Sequence, residues 1–215
     1  MNNTVQKILQ DKIIVIVRGV ARENLIPLAQ AIYDGGITLL ECTYDATGKI
    51  PDEEIAENIA MLAKHFEGKM LIGAGTVLTK KQVQLTKSAG GKFIISPDTN
   101  EEIIRYTKEL SLVSIPGGAT PTEIANAHRF GADFVKVFPV VFMGGADYIK
   151  AVKAPLSNVR LLAVNGVGAD NIADYLSAGA EGVGIGSGVV NKKLIESGQF
   201  EKITELAKQY GNTVK

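Results

Sequence analysis

Short runs of apolar, β-branched residues recur eight times along this chain, and a stretch with helical periodicity follows each one. The runs fall at 13–17, 38–41, 70–73, 93–96, 112–115, 134–138, 160–164 and 182–185. The helical stretches fall at 22–34, 52–66, 80–89, 100–109, 121–130, 145–153, 169–178 and 192–210. Strict alternation predicts parallel strands, because parallel neighbours need a crossover between them. Runs that are apolar on both faces predict strands covered on both sides. Eight such units predict an α/β fold, the (β/α)8 TIM barrel, with a short helix over 2–10 ahead of the first strand. A length of 215 residues suits one barrel domain spanning 1–215. Local signals agree. Thr120-Pro121-Thr122-Glu123 reads as an N-cap, a first-turn proline and a capping-box acid. Asp52, Glu53 and Glu54 place acids where a helix dipole favours them. The competing architecture is a doubly wound open sheet. Its support is Gly184-Ile185-Gly186-Ser187-Gly188, but this glycine loop follows the last strand, and no βαβ half comes after it.

Composition narrows the function. The chain carries 23 basic and 23 acidic residues, so its balance provides no electrostatic footprint for nucleic acid or an anionic membrane. The Lys80-Lys81 and Lys192-Lys193 pairs fall in helical stretches and read as solvated faces. Cys42 is the single cysteine, which leaves no disulfide framework and no cysteine zinc site and fits a reducing compartment. Residues 1–4 lead into an amphipathic stretch without a signal-peptide core, and no apolar run approaches the length of a membrane span. The expectation is a cytoplasmic protein.

Chemistry in such a barrel sits at the C-terminal ends of the strands. Those ends read Arg18; Glu41 and Thr43; Thr76; Pro97 and Asp98; Pro116-Gly117; Lys136; Asn165-Gly166; and Gly186-Ser187. Lys136 stands out, a lysine inside the apolar run Phe134-Val135-Lys136-Val137-Phe138. Burying its ammonium lowers its pKa and makes an amine nucleophile for a carbonyl. Strand alternation puts Leu39, Glu41 and Thr43 on one face, and Phe134, Lys136 and Phe138 on one face. If both faces point inward, an amine meets a carboxylate inside the barrel. That pair is either a structural ion pair or a nucleophile with its acid/base. The loops 164–168 and 186–188 offer glycine backbone and helix-start N–H groups to an anion, or are simply tight turns. Cys42, next to Glu41, is expected to face the outer helices as an inert thiol. His65 and His128 fall in helical stretches and, without a carboxylate cluster, argue against a metal site. Asp98 and Asp45 are either site residues or loop and cap residues.

Over nearly its whole length the chain resembles the keto-deoxy-phosphogluconate (KDPG) and keto-hydroxyglutarate (KHG) aldolases. The landmarks are Glu41-Cys42-Thr43, Ile72-Gly73-Ala74-Gly75-Thr76-Val77, Ile95-Ser96-Pro97, Pro116-Gly117, Lys136-Val137-Phe138-Pro139 and Gly186-Ser187. The resemblance implies a metal- and cofactor-free class I lyase, a homotrimer, that splits a keto-acid substrate into pyruvate and an aldehyde. By the same resemblance Lys136 is the Schiff-base lysine and Glu41 the acid/base. Thr76 and Pro97 line the pyruvyl pocket with Phe138 beside it, and the Gly166 and Ser187 N–H groups hold a phosphate. Three positions depart from the family pattern. Asp45 stands where many members have an arginine for the keto-acid carboxylate, which makes Arg18 the candidate anion contact. Val164 replaces a threonine, so the preference for substrate hydroxyls is expected to change. Asn165 replaces a phosphate-loop glycine. The substrate is expected to be a 2-keto-3-deoxy sugar acid 6-phosphate, 4-hydroxy-2-oxoglutarate, or both. A metal-independent sugar-phosphate isomerase or epimerase, and a non-catalytic sugar-phosphate binding protein, remain open on sequence.

Overall fold

The computed structural model describes residues 3–214. Nine parallel strand segments form its sheet: β1 (Ile13–Val17), β2 (Leu39–Thr43), β3 (Leu71–Gly75), β4 (Phe93–Ile95), β5 (Val113–Ile115), β6 (Gly117–Gly118), β7 (Val135–Val137), β8 (Leu161–Val164) and β9 (Gly182–Ile185). Their order is β5-β4-β3-β2-β1-β9-β8-β7-β6. The two ends of that row are one stretch of chain, because only Pro116 separates β5 from β6. Proline has no N–H to give a ladder, yet its carbonyl accepts from Lys136 N at 2.8 Å, and Ser114 O accepts from Asp133 N at 3.0 Å. The row therefore closes through an interrupted fifth strand, and nine segments make the eight strands of the barrel.

Around it lie α1 (Asn3–Asp11), α2 (Arg22–Asp34), α3 (Asp52–His65), α4 (Lys80–Ser88), α5 (Glu101–Glu109), α6 (Pro121–Arg129), α7 (Gly145–Lys153), α8 (Ile172–Ser177), α9 (Lys192–Glu196) and α10 (Phe200–Asn212), with a 3-10 turn at Val140–Met143 before α7. The first position of the expected leading helix, Asn2, lies outside the described residues. The Thr120 and Glu123 side chains form the predicted capping box, and Thr79 with Gln82 forms a second. Two expectations need correction. The stretch 192–210 is two helices, because the chain turns through Gly198 at φ +69° and Ser197 Oγ donates to Lys193 O. The stretch expected to start at 169 becomes helical only at Ile172, after a turn in which Asn171 Oδ1 accepts from Gly168 N.

Strand alternation divides the core in two. Val15, Leu40, Cys42, Ile72 and Ala74 point outward into the layer beneath the helices. Ile14, Leu39, Phe93, Ile115, Phe134 and Leu162 fill the barrel, and Val5 and Ile8 of α1 pack into that same inner cluster. Each fully buried aliphatic side chain of this kind contributes about 1.5–3 kcal/mol. The inner cluster is apolar, so the polar inward positions Glu41 and Lys136 come next along β2 and β7 toward the C-terminal mouth. β2 and β3 each run two residues further than their apolar runs suggest. Thr43 pairs with Gly75, and Tyr44 N donates to Gly75 O at 2.8 Å, so the ladder carries a glycine-rich tail that propensity alone reads as loop.

Candidate active site

Glu41 and Lys136 face one small cavity inside the barrel. Its walls include Ile14, Ile95, Leu162 and Val164, and its volume of about 10 Å³ holds roughly one water. Glu41 is 1% exposed and Lys136 is 8% exposed. Burial pushes the Glu41 carboxyl above the usual carboxylate range, while the Lys136 and Arg18 cations pull it back. Burial pushes the Lys136 ammonium below the usual lysine value; the Glu41 carboxylate opposes this and Arg18 reinforces it. Both displacements favour the neutral forms, a nucleophilic amine and a carboxylic acid. No ion pair within 4.0 Å joins them among the described residues, and Glu41 Oε2 is buried without a hydrogen-bond partner. A buried oxygen left unsatisfied costs about 1–3 kcal/mol. A substrate hydroxyl or water in the cavity would satisfy it.

Glycines on β3 make the room. A Cβ on Gly75 would overlap Glu41 Oε1, and a Cβ on Gly73 would overlap the Phe93 ring that fills the barrel beneath. The Gly73-Ala74-Gly75 sequence thus leaves two inward positions empty for side chains of neighbouring strands, while Ala74 points to the helices. Immediately after, Thr76 takes φ +57° and its hydroxyl accepts a 2.8 Å hydrogen bond from Arg18 Nη2. Arg18, at the exposed end of β1, is thereby braced across β2 toward the two catalytic candidates. The Phe138 ring lies 4.7 Å from Lys136 Nζ and is 37% exposed, forming the rim above the amine.

Asp45 is committed elsewhere. Its carboxylate accepts from Thr47 N and Oγ1, Lys49 N and Ile50 N at 2.8–3.0 Å. Those bonds, chiefly the Thr47 pair, hold its pKa down to about 2. It staples the turn before α3 and has no role at the cavity.

The other expected residues divide. Gly186 and Ser187 line a cleft of about 640 Å³ at the barrel mouth together with Ile16 and Arg18. Asn165 and Gly166 end the adjacent strand β8 at φ +80° and +74°, both exposed, and they line neither the cavity nor this cleft. A Cβ on Gly166 would overlap Val141. Thr43 is buried beside Gly75 and makes no side-chain hydrogen bond among the described residues. Pro97 is exposed at the rim, with its carbonyl close against Gly117. The anion loops also differ from expectation in that neither is the start of a helix. Gly166 precedes α8 by six positions, and Gly186 closes a turn in which its carbonyl accepts from Val189 N and Val190 N. Any anion there meets loop N–H groups instead of a helix dipole. Reading the sequence missed Lys192 and Lys193, which also line the cleft. The signal was present as a lysine pair four residues after Gly188, but helical periodicity assigned it to a solvated face.

Outside the site, Cys42 is buried in the outer layer with its thiol pushed up to about 12. His65 meets the Phe66 ring at a tilt, with ring centroids 4.7 Å apart, and exposed His128 meets Asn158 Nδ2 at 3.0 Å.

Comparison with known proteins identifies the family. A family model described as KDPG and KHG aldolase matches residues 5–206. A 2-dehydro-3-deoxy-phosphogluconate aldolase of Haemophilus influenzae is 31% identical over 211 residues, covering 98% of this chain and 96% of that protein. A 2-dehydro-3-deoxy-6-phosphogalactonate aldolase of Escherichia coli is 35% identical over 176 residues, covering 81% and 82%. Among solved structures, a KDPG aldolase from Legionella pneumophila with pyruvate captured as a covalent carbinolamine intermediate superposes with a TM-score of 0.85 at 29% identity, covering 95% and 96%.

Proposed function

This chain belongs to the KDPG and KHG aldolase family, and we propose that it makes its Schiff base at Lys136 with Glu41 as the proton shuttle. It is a carbon–carbon lyase, a class I aldolase that releases pyruvate and an aldehyde from a 2-keto-3-deoxy acid. The observation that carries the residue assignment is one cavity walled by a buried amine and a buried carboxyl, each displaced toward its neutral form. The neutral Lys136 amine adds to the C2 carbonyl. Glu41 protonates the carbinolamine hydroxyl, water leaves, and the iminium forms. The Glu41 carboxylate then takes the C4 hydroxyl proton as the C3–C4 bond breaks, with the bonding electrons flowing into the iminium. The aldehyde departs, the enamine is protonated at C3, and water hydrolyses the imine to return Lys136 and pyruvate.

Arg18, braced by Thr76, takes the keto-acid carboxylate. A bidentate guanidinium suits that group. On the family resemblance, Thr43, Pro97 and Phe138 are proposed to border the bound keto acid, and Gly166, Asn165, Gly186 and Ser187 to supply the loops for a distal anion. The test is borohydride trapping with pyruvate and peptide mapping. A reduced pyruvyl adduct on Lys136 is expected, and an adduct on another lysine overturns the assignment.

Glu41→Gln is expected to lower kcat roughly 10²–10⁴-fold while pyruvate trapping persists. The sign of its pH effect is fixed. The Glu41 carboxylate raises the Lys136 pKa, so its removal moves the acid limb of imine formation to lower pH. Arg18→Met removes a cation that lowers the same pKa, and moves the limb to higher pH. Trapping yield measured against pH reads both, and a shift in the opposite sense refutes the coupling.

We propose that the chain works as a homotrimer in the cytoplasm. Phe142 is 81% exposed and Val141 43% exposed on the turn before α7, apolar surface of the kind that marks an interface. A trimer mass by light scattering is expected, and a monomer mass refutes the assembly. No helix among the described residues is long and apolar enough to cross a membrane.

A further inference from the structure

We infer that Ile16 is a specificity-determining residue, an apolar neck that limits how wide the aldehyde half of the substrate can be where it leaves the reaction cavity. The inference rests on the aldolase reading above and deepens it. The reaction cavity of about 10 Å³ and the mouth cleft of about 640 Å³ share one lining residue among the described residues, and it is Ile16. A carbon chain joined to Lys136 that extends into the cleft therefore passes this side chain. Strand alternation points Ile14 and Ile16 to the same inward face, and the β1–β2 register sets Ile16 opposite Glu41. Ile16 is also the one residue of β1 that is not fully buried. Its side chain thus faces open space, where Ile14 faces the packed inner cluster. On the other side it leans toward β9. A Cβ on Gly184 would stand 3.3 Å from Ile16 Cδ1 and 2.9 Å from Val164 Cγ2. The absent side chain at 184 leaves room between these two apolar groups. Branching at Cβ restricts χ1 of Ile16, so widening the neck by a rotamer change is unfavourable. The chemistry says which substrate atoms meet it. C2 is held at Lys136 and the C4 hydroxyl at Glu41, so C5 is the first carbon outward from the pair. An aliphatic side chain offers C5 no hydrogen bond and limits only the size of its substituents.

The test runs the reaction in the condensation direction with uncharged aldehydes, so that no anion enters beyond the carboxylate of pyruvate. The enamine carbon of bound pyruvate attacks the aldehyde carbon, the C=O electrons move to oxygen, the oxygen takes the Glu41 proton, and water releases the product from the iminium. Glycolaldehyde carries a hydroxyl and hydrogens on the carbon that becomes C5, and glyceraldehyde carries a further carbon there. Wild type, Ile16→Ala, Ile16→Val and Ile16→Phe are compared on both. The ratio of kcat/KM for glyceraldehyde over glycolaldehyde is expected to rise roughly 10-fold in Ile16→Ala. It should rise less in Ile16→Val and fall below wild type in Ile16→Phe. Ile16→Val removes a single methylene and carries the test where the alanine variant does not fold. Pyruvate has neither C4 nor C5, so borohydride trapping on the same preparations reads damage to the cavity separately from a change in the neck. A ratio that stays flat across the series overturns the neck. So does an equal change on both aldehydes with a matching loss of trapping, which assigns Ile16 to support of the cavity. Absence of a pyruvyl adduct in wild type removes the aldolase reading and the neck with it, whereas an adduct with a flat ratio removes the neck alone.

Discussion

Lys136→Ala is expected to abolish turnover, with kcat falling roughly 10⁴-fold or more. Alanine carries no nucleophile, and no second lysine lines the cavity to replace it. Lys136→Arg should fail equally, because a guanidinium stays protonated and cannot add to a carbonyl. The variants should remain folded. The Lys136 side chain makes no hydrogen bond or ion pair among the described residues, and the Glu41 carboxyl left behind is already displaced toward its neutral form. Mass spectrometry after borohydride with pyruvate gives the second readout, in which the wild-type adduct disappears. Turnover within tenfold of wild type in a folded Lys136→Ala protein refutes the Schiff-base assignment.

Gly75→Ala is expected to be nearly as damaging, although position 75 contributes no chemical group. Its backbone is ordinary strand, so alanine is conformationally tolerated, but the new methyl would occupy the space of Glu41 Oε1. The carboxylate must move or the β2–β3 ladder must part. Overpacking of this kind costs about 1–3 kcal/mol, and displacing the proton shuttle costs roughly 10²–10⁴ in kcat. Gly73→Ala, one strand pair lower, would strike the Phe93 ring instead. It should lose comparable stability with a smaller loss of kcat. Thermal unfolding and steady-state kinetics on the two variants separate the effects. Normal kcat in Gly75→Ala would mean that Glu41 does not need its present position.

The two predictions also mark where sequence reading stops. Lys136 and Glu41 were legible because each is a charged residue at an inward position of an apolar strand, and alternation fixes which way it points. The role of Gly75 was not legible. A glycine in a strand tail reads as loop until the β2–β3 register places it opposite Thr43 and beneath the Glu41 side chain. Asp45 could be weighed only as a site residue or a loop residue, because its four bonds to the 47–50 turn exist only once that turn is built. The lysine pair at 192–193 was read as a solvated face, since nothing local says that the helix carrying it breaks after Glu196 and sits at the mouth.

By itself the sequence determined the repeating strand–helix order, the inner and outer faces of each strand, and the amine and carboxyl at the ends of two of them. Those follow from periodicity and from the cost of burying charge, which act within a few residues. Only the tertiary structure decided how the ring closes across Pro116, which empty glycine positions admit Glu41 and Phe93, that Arg18 is held by Thr76, and that three cations share one cleft. These depend on residues brought together from strands far apart in the chain, where barrel closure sets distances that no local pattern encodes.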